Sequence, residues 1–528
     1  MVIRIFISIG LIYLSLIGLY WWGLKTPTED LNEVSITTTS KPVILLVIDS
    51  LMDEPLQKAI KDGKAPALKF FMEHGHYYPE IVSGYPTMSV TIDSTLLTGE
   101  YADQHKIPGL IWFKKDENRL INYGTGKKEV SRNGVKQVIK DGLIHLNQDH
   151  LSEDVYTIYE ELTSTDFQSA SINGLVYRAD YPRQLNIPKL ASLTNLIPHK
   201  LEINGPDLLS LGSLSQYNPE NDQNNQIWKK MGFNDRFTAN ELRYLIQQEK
   251  LPAFTLAYFP DLDKKVHNNG ATETNGIADM DKQLQSILKS YKSWHEALQK
   301  AIWIVYGDSG QSTILDDRNV SIIDLQALLK KHRIWNVKEP IDNHDDLVLA
   351  VNERMAYIYL VNKKIDLLEI ISTLKQDPRI GFIAWKEDNI NHVTNTDSNE
   401  QFTFSPNGKY IDPYDQSWEL KGASSILDLM INEENEIQYG DYPDALARLH
   451  GALNSHEDRF VVVDAKPGYE FIGKHSPTHV GGGGHGSLYK DDSLTPLIIV
   501  GTNTKPEYNR LVDFKNWIIE LTKKGEEK

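Results

Sequence analysis

Six consecutive apolar residues, Val43–Ile48, followed directly by Asp49, constrain this chain more than any other feature. A run so apolar and so rich in β-branched side chains is a strand buried on both faces. Such a strand needs helices on both sides of its sheet and so implies α/β organisation. In open sheets of that kind ligands bind at the carboxyl edge, which is where Asp49 stands. A carboxylate there serves equally well as a cap for the next helix or as a metal or catalytic ligand, and the strand alone does not separate the two.

Further segments repeat the arrangement. Pro86-Thr87-Met88-Ser89 leads into Val90–Leu97, which reads as a helix beginning near Ser89. A serine at a helix N-terminus meets free N–H groups and the positive end of the dipole, a setting that suits either an N-cap or an attacking alkoxide. The apolar run Pro252–Phe259 reads as a buried strand and is followed by Asp263 and His267. A carboxylate and an imidazole four apart can reach one cation from a single turn, although alone they are also an ordinary polar loop. Ala301–Tyr306 is another strand, ending in Gly307-Asp308-Ser309-Gly310-Gln311. Near the C-terminus, His479 and His485 flank four consecutive glycines ahead of the strand Pro496–Val500. Glycines let backbone approach a site closely, but such a run is also a common flexible loop.

The 528 residues contain no cysteine, which excludes disulfides, thiolate metal sites and cysteine nucleophiles. Any metal must be held by carboxylate, imidazole or hydroxyl. A net charge of -17 argues against a nucleic-acid backbone as partner. It leaves room for a small phosphorylated substrate, because bound cations reverse the sign locally. Ile5–Leu24 carries no charged side chain and has about the length that spans hydrocarbon. Trp21-Trp22 closes it like an interfacial pair, and no small-residue cleavage site precedes Lys25. An uncleaved anchor is therefore favoured over a signal peptide. The expected location is the cell membrane, single-pass, with the main body extracytoplasmic; the alternative is secretion. Residues 25–40 read as a tether.

Taken together, D-S at a strand end, Y-P-T-M-S, and L-L-T-G-x-Y-x-x-x-H resemble the type I phosphodiesterase/nucleotide pyrophosphatase branch of the alkaline phosphatase superfamily. Asp263 with His267, Gly307–Gln311 and the glycine run with His485 follow that first segment, making four motifs in family order over residues 41–502, each read as standing at the carboxyl end of a strand. The likeness implies a three-layer α/β/α sandwich of alkaline-phosphatase type with inserted α+β cap segments, which the texture of the chain places near 182–226 and 320–439. Residues 503–528 read as a C-terminal helix. The resemblance further implies two divalent metal ions, with Asp263, His267 and His485 at one and Asp49, Ser89, Asp308 and Ser309 at the other. Ser89 is then the nucleophile. Ser309 departs from the family, which places histidine there; a hydroxyl is a weak zinc ligand, so manganese or magnesium is the alternative at that site. Asp93 lies one helical turn past Ser89 on the same face, a candidate replacement ligand or substrate contact, or else an ordinary solvated or capping carboxylate. His105 reads as structural, and His479 is the weaker candidate ligand of its pair.

The expected function is metal-dependent hydrolysis of phosphoric esters, most simply phosphodiester or nucleotide-pyrophosphate-type bonds, through a serine nucleophile. The alternatives are a phosphomonoesterase or phosphonate hydrolase on the same scaffold, or a non-catalytic envelope binding protein with a degraded metal site.

Overall fold

The computed structural model describes residues 28–37, 41–187 and 200–524. The expected anchor, Ile5–Leu24, lies outside them. Among the described residues no helix is long and apolar enough to cross a membrane.

Two large sheets carry the chain. In chain order their strands are β1 (Val43–Ile48), β2 (His76–Val82), β3 (Ser169–Ile172), β4 (Leu208–Ser210), β5 (Phe254–Phe259), β6 (Ile302–Gly307) and β7 (Leu347–Asn352). They continue with β8 (Met355–Leu360), β9 (Ile380–Glu387), β10 (Ile390–Asn395), β11 (Gln401–Ile411), β12 (Ser417–Gly422), β13 (Phe460–Ala465) and β14 (Leu494–Val500). The central sheet has the order β2-β14-β6-β1-β5-β3-β4. β1 runs parallel to both β5 and β6, which puts Ile48 beside Phe259 and Gly307 and aligns their carboxyl ends. Alternation along β1 feeds two cores. Ile44, Leu46 and Ile48 pack with Leu56, Phe71, Leu242 and Leu284, while Val43, Leu45 and Val47 pack with Ile92, Leu96, Tyr159 and Ile518. This double burial is why the strand is apolar throughout.

β14 is antiparallel to β6 and β2, so the loop entering it arrives at the same edge that β1, β5 and β6 leave. That corrects one expectation: His485 does not end a strand of the central sheet but stands, after the two-residue strand Gly483–Gly484, in the loop that enters β14, and reaches the carboxyl edge because β14 runs the opposite way.

The second sheet is antiparallel throughout, in the order β7-β8-β13-β9-β10-β11-β12. It extends beyond the α+β cap segment expected near 320–439, because long-range pairing draws in β13 from beyond that stretch. Similarly, residues 182–226 do not lie wholly outside the core: Leu208–Ser210 is the edge strand β4, paired with β3. Three residues between Gly205-Pro206 and Gly212 are too short to register as a periodic pattern. Two separate helices, Asn275–Leu288 and Trp294–Lys300, the second capped by Ser293, lead back to β6.

Candidate active site

Two helices join the strand ends at the carboxyl edge. α1 (Ser89–Thr98) begins with Ser89 as its first helical residue, and its N-cap is Met88, which makes no side-chain capping bond. Ser89 is therefore not spent as a cap, and it is half-buried where the residues around it are nearly all buried. α2 (Asp261–Asn269) follows β5 and carries Asp263 and His267 one turn apart.

Asp263 Oδ1 lies 3.0 Å from His267 Nε2 and 3.9 Å from His485 Nε2. The three form a group whose ligand atoms all fall within 4.8 Å of one another. Both imidazoles are oriented from behind: His267 Nδ1 is 2.8 Å from the Gly483 carbonyl, and His485 Nδ1 meets the Thr87 carbonyl. A carbonyl only accepts, so Nδ1 carries the proton and Nε2 is left to face a cation, the arrangement common behind metal-bound histidines. The glycine run makes this possible. Gly481 has φ +77°, and a Cβ on Gly482 would collide with the His267 carbonyl. Burial pushes the Asp263 carboxyl up, but the His267 imidazole overrides it and holds it below the ordinary range. In return burial lowers His267 while Asp263 and Glu353 raise it, to about 10. A cation held here would take the place of the proton on His267 Nε2.

The second group surrounds Asp308. Its Oδ1 accepts from the backbone N–H of Ser50 (2.8 Å) and of Ser309 (2.7 Å), leaving Oδ2 buried without a hydrogen-bond partner. Ser309 is fully buried and its Oγ is likewise unpartnered. Asp49 accepts from the Tyr258 hydroxyl at 2.6 Å. Asp93 is 1% exposed with Oδ1 unpartnered, which rules out the solvated reading of that residue. Burial raises the carboxyls of Asp49, Asp93 and Asp308, and mutual repulsion adds to it: Asp308 and Asp263 act on Asp49, and Asp308 acts on Asp93. Buried oxygens left unpaired, in carboxylates that repel one another, are costly unless positive charge enters. The donor set fits a divalent cation, and it is all oxygen.

Three contributors escaped the sequence reading. Ser50, at φ 62°, donates Oγ–H to Asp263 Oδ1 (3.1 Å), and Gln311 Nε2 donates to Ser50 Oγ (2.7 Å) and to Asp263 Oδ1 (2.8 Å). Together they tie the two groups into one frame. Both sit inside motifs already singled out, which was the available signal. Glu353 approaches from the second sheet, with Oε1 3.9 Å from His267 Nε2, and nothing local in its sequence marks it. His105 stands apart: it is buried, accepts from the Ile107 N–H at 3.1 Å and lies 3.2 Å from Thr95 Oγ1, and burial pushes its imidazole down to about 3. It is a neutral packing residue.

The sequence matches the family model for type I phosphodiesterase / nucleotide pyrophosphatase over residues 43–488. Curated protein sequences give no match. Solved structures do. Murine ectonucleotide pyrophosphatase/phosphodiesterase 5, in an inactive variant complexed with AMP, superposes with a TM-score of 0.54 at 13% identity, covering 92% of this chain and 95% of that one. The human counterpart gives 0.54 at 15% identity, with the same coverage of both chains. At such identities the likeness is one of fold.

Proposed function

Because this chain belongs to the type I phosphodiesterase/nucleotide pyrophosphatase family and is a hydrolase of that type, we propose that it cleaves phosphodiester or nucleotide-pyrophosphate-type bonds through Ser89, with two divalent cations as cofactors. The observation that carries this reading is the position of Ser89: it opens α1, free of capping duty, two residues past Thr87, whose carbonyl meets His485 Nδ1 in the Asp263–His267–His485 group. Asp263, His267 and His485 would hold one cation; Asp49, Asp308, the Ser89 hydroxyl and Ser309 would hold the other. Bound cations would lower the pKa of the Ser89 hydroxyl and balance charge on the phosphoryl oxygens.

Ser89 Oγ attacks phosphorus as the P–O bond to the leaving group breaks opposite it. The α1 N-terminus favours the added negative charge. Water then cleaves the phosphoseryl ester and restores the hydroxyl. A small phosphorylated substrate accords with AMP bound by the murine relative. The uncharged run Ile5–Leu24 supports an extracytoplasmic, membrane-anchored setting.

The test is hydrolysis of nitrophenyl mono- and diesters by the detergent-solubilised full-length chain, with manganese, magnesium or zinc restored after chelation. Diester cleavage that disappears with chelator and returns with metal is expected. Failure to cleave any ester with every cation present would leave the binding-protein alternative standing.

Cation preference at the second group follows from Ser309. With no imidazole there, Ser309→His is expected to tighten zinc at that group by roughly 10- to 100-fold, read by calorimetry on the metal-free protein. An unchanged zinc isotherm would mean that Ser309 does not face a cation.

A further inference from the structure

The second sheet reaches the site through the tip of the β7–β8 hairpin. Asn352 pairs with Met355, so the turn consists of Glu353 and Arg354, and Glu353 takes φ 57°. Turns of this kind favour glycine or asparagine at positive φ, and glutamate there is the strained choice. Nothing about the turn itself demands it. Its carboxylate instead faces the first cation group: Oε1 is 3.9 Å from His267 Nε2 and Oε2 is 4.0 Å from His485 Nε2. Two donors each about 2.1 Å from one ion stand about 3.0 Å apart at a right angle and about 4.2 Å apart when opposed. The separation from His267, made by Oε1, and the separation from His485, made by Oε2, each fall within that window.

The tip is firmly held. The Glu353 carbonyl accepts from Phe471 N–H (2.8 Å), Arg354 N–H donates to the His485 carbonyl (3.0 Å), and His485 N–H donates to Glu353 Oε2 (3.1 Å). The ligand-bearing loop and the hairpin tip thus fix each other. His479 also lies near, and His267, Glu353 and His479 form a second possible ligand group. Three features disfavour His479. His267 has one free nitrogen, Nε2, because Nδ1 donates to Gly483. The His479 ring stacks on that of His267 at 4.2 Å and 26°, so their in-plane lone pairs run side by side and do not converge. Its Nδ1 is moreover held by Glu470 Oε2 at 2.9 Å.

We propose that Glu353 is a fourth protein ligand of the cation held by Asp263, His267 and His485, delivered to the site by the second sheet. This rests on the two-cation reading above. Four protein donors fill a tetrahedral sphere, so a substrate oxygen enters only if the ion accepts five or six ligands. Two carboxylates with two imidazoles therefore shift this group, too, toward cations such as manganese.

The experiment is calorimetric titration of manganese into metal-free full-length protein, comparing wild type, Glu353→Gln and Asp263→Asn. Glutamine keeps the bond from His485 N–H and the turn, and loses the charge. Glu353→Gln is expected to weaken one of two manganese sites by roughly 10- to 100-fold, with Asp263→Asn weakening the same site. If Asp263→Asn loses the site and Glu353→Gln binds as wild type does, Glu353 is only a buttress and the inference fails. If neither substitution changes binding, the cation reading of the Asp263 group fails with it. Should Glu353→Gln not fold, anomalous scattering from manganese-soaked wild-type crystals decides. A Glu353 oxygen within about 2.4 Å of the ion supports the assignment, and one beyond about 3.5 Å overturns it.

Discussion

Ser89→Ala is expected to lower diester hydrolysis by on the order of 10^4-fold or more, to the background set by the cations alone. The substitution should leave the fold intact, because Ser89 is half-buried, makes no capping bond and is followed by a helix anchored through Ile92, Leu96 and Leu97 in the core. Alanine is also a better helix former than serine, so α1 gains slightly in intrinsic preference. Cation binding at the Asp263–His267–His485 group should be unchanged, since no donor there is touched. Loss of turnover with retained cation uptake would therefore isolate the nucleophile. Retained turnover would move attack to another group. Ser309, fully buried and unpartnered, would then be the first to examine.

Arg354→Met is expected to destabilise the protein by about 3–5 kcal/mol, the largest effect foreseen on folding. The Arg354–Asp492 pair is completely buried on both sides, and Arg354 also donates to the carbonyls of Ala465 and Tyr469, both at 3.2 Å. Methionine fills much of the same volume but leaves Asp492 with only Ser312 Oγ and the Ser487 N–H as donors. A buried carboxylate that loses its cation costs more than the pair contributed. Adding Asp492→Leu should accordingly recover a large part of the loss. Denaturant midpoints of the single and double variants provide the check. A loss below about 1 kcal/mol in the single variant would show that the pair does not hold the sheets together. Because Arg354 adjoins Glu353, the single variant should also weaken cation binding at the Asp263 group.

Much of the site was legible because its parts are local. Val43–Ile48 announces a doubly buried strand by composition, and that places Asp49 at a carboxyl edge. Asp263 and His267 share a helix turn by spacing alone. His485 could be recognised by motif, yet its route to the edge depends on β14 running antiparallel, which no local pattern conveys. The extent of the second sheet was hidden for a related reason. β13 lies far along the chain from its neighbours β8 and β9, and pairing between distant strands leaves no periodic trace in either.

Sequence alone determined which short segments could carry chemistry: a serine opening a helix, carboxylates at strand ends, histidines beside glycines that permit close approach. Those properties depend on residues within a turn or two of each other. Tertiary structure decided which of them meet. It showed that Met88, and not Ser89, stands at the N-cap position of α1, that Asp93 is buried with Asp308 acting on its carboxyl, and that Ser50 and Gln311 join the two groups. It also brought Glu353 from an inconspicuous hairpin turn to within 4.0 Å of His485. A cation gathers donors a few ångströms apart wherever they lie in the chain, and that proximity is set by strand order and direction, to which local sequence preference is blind.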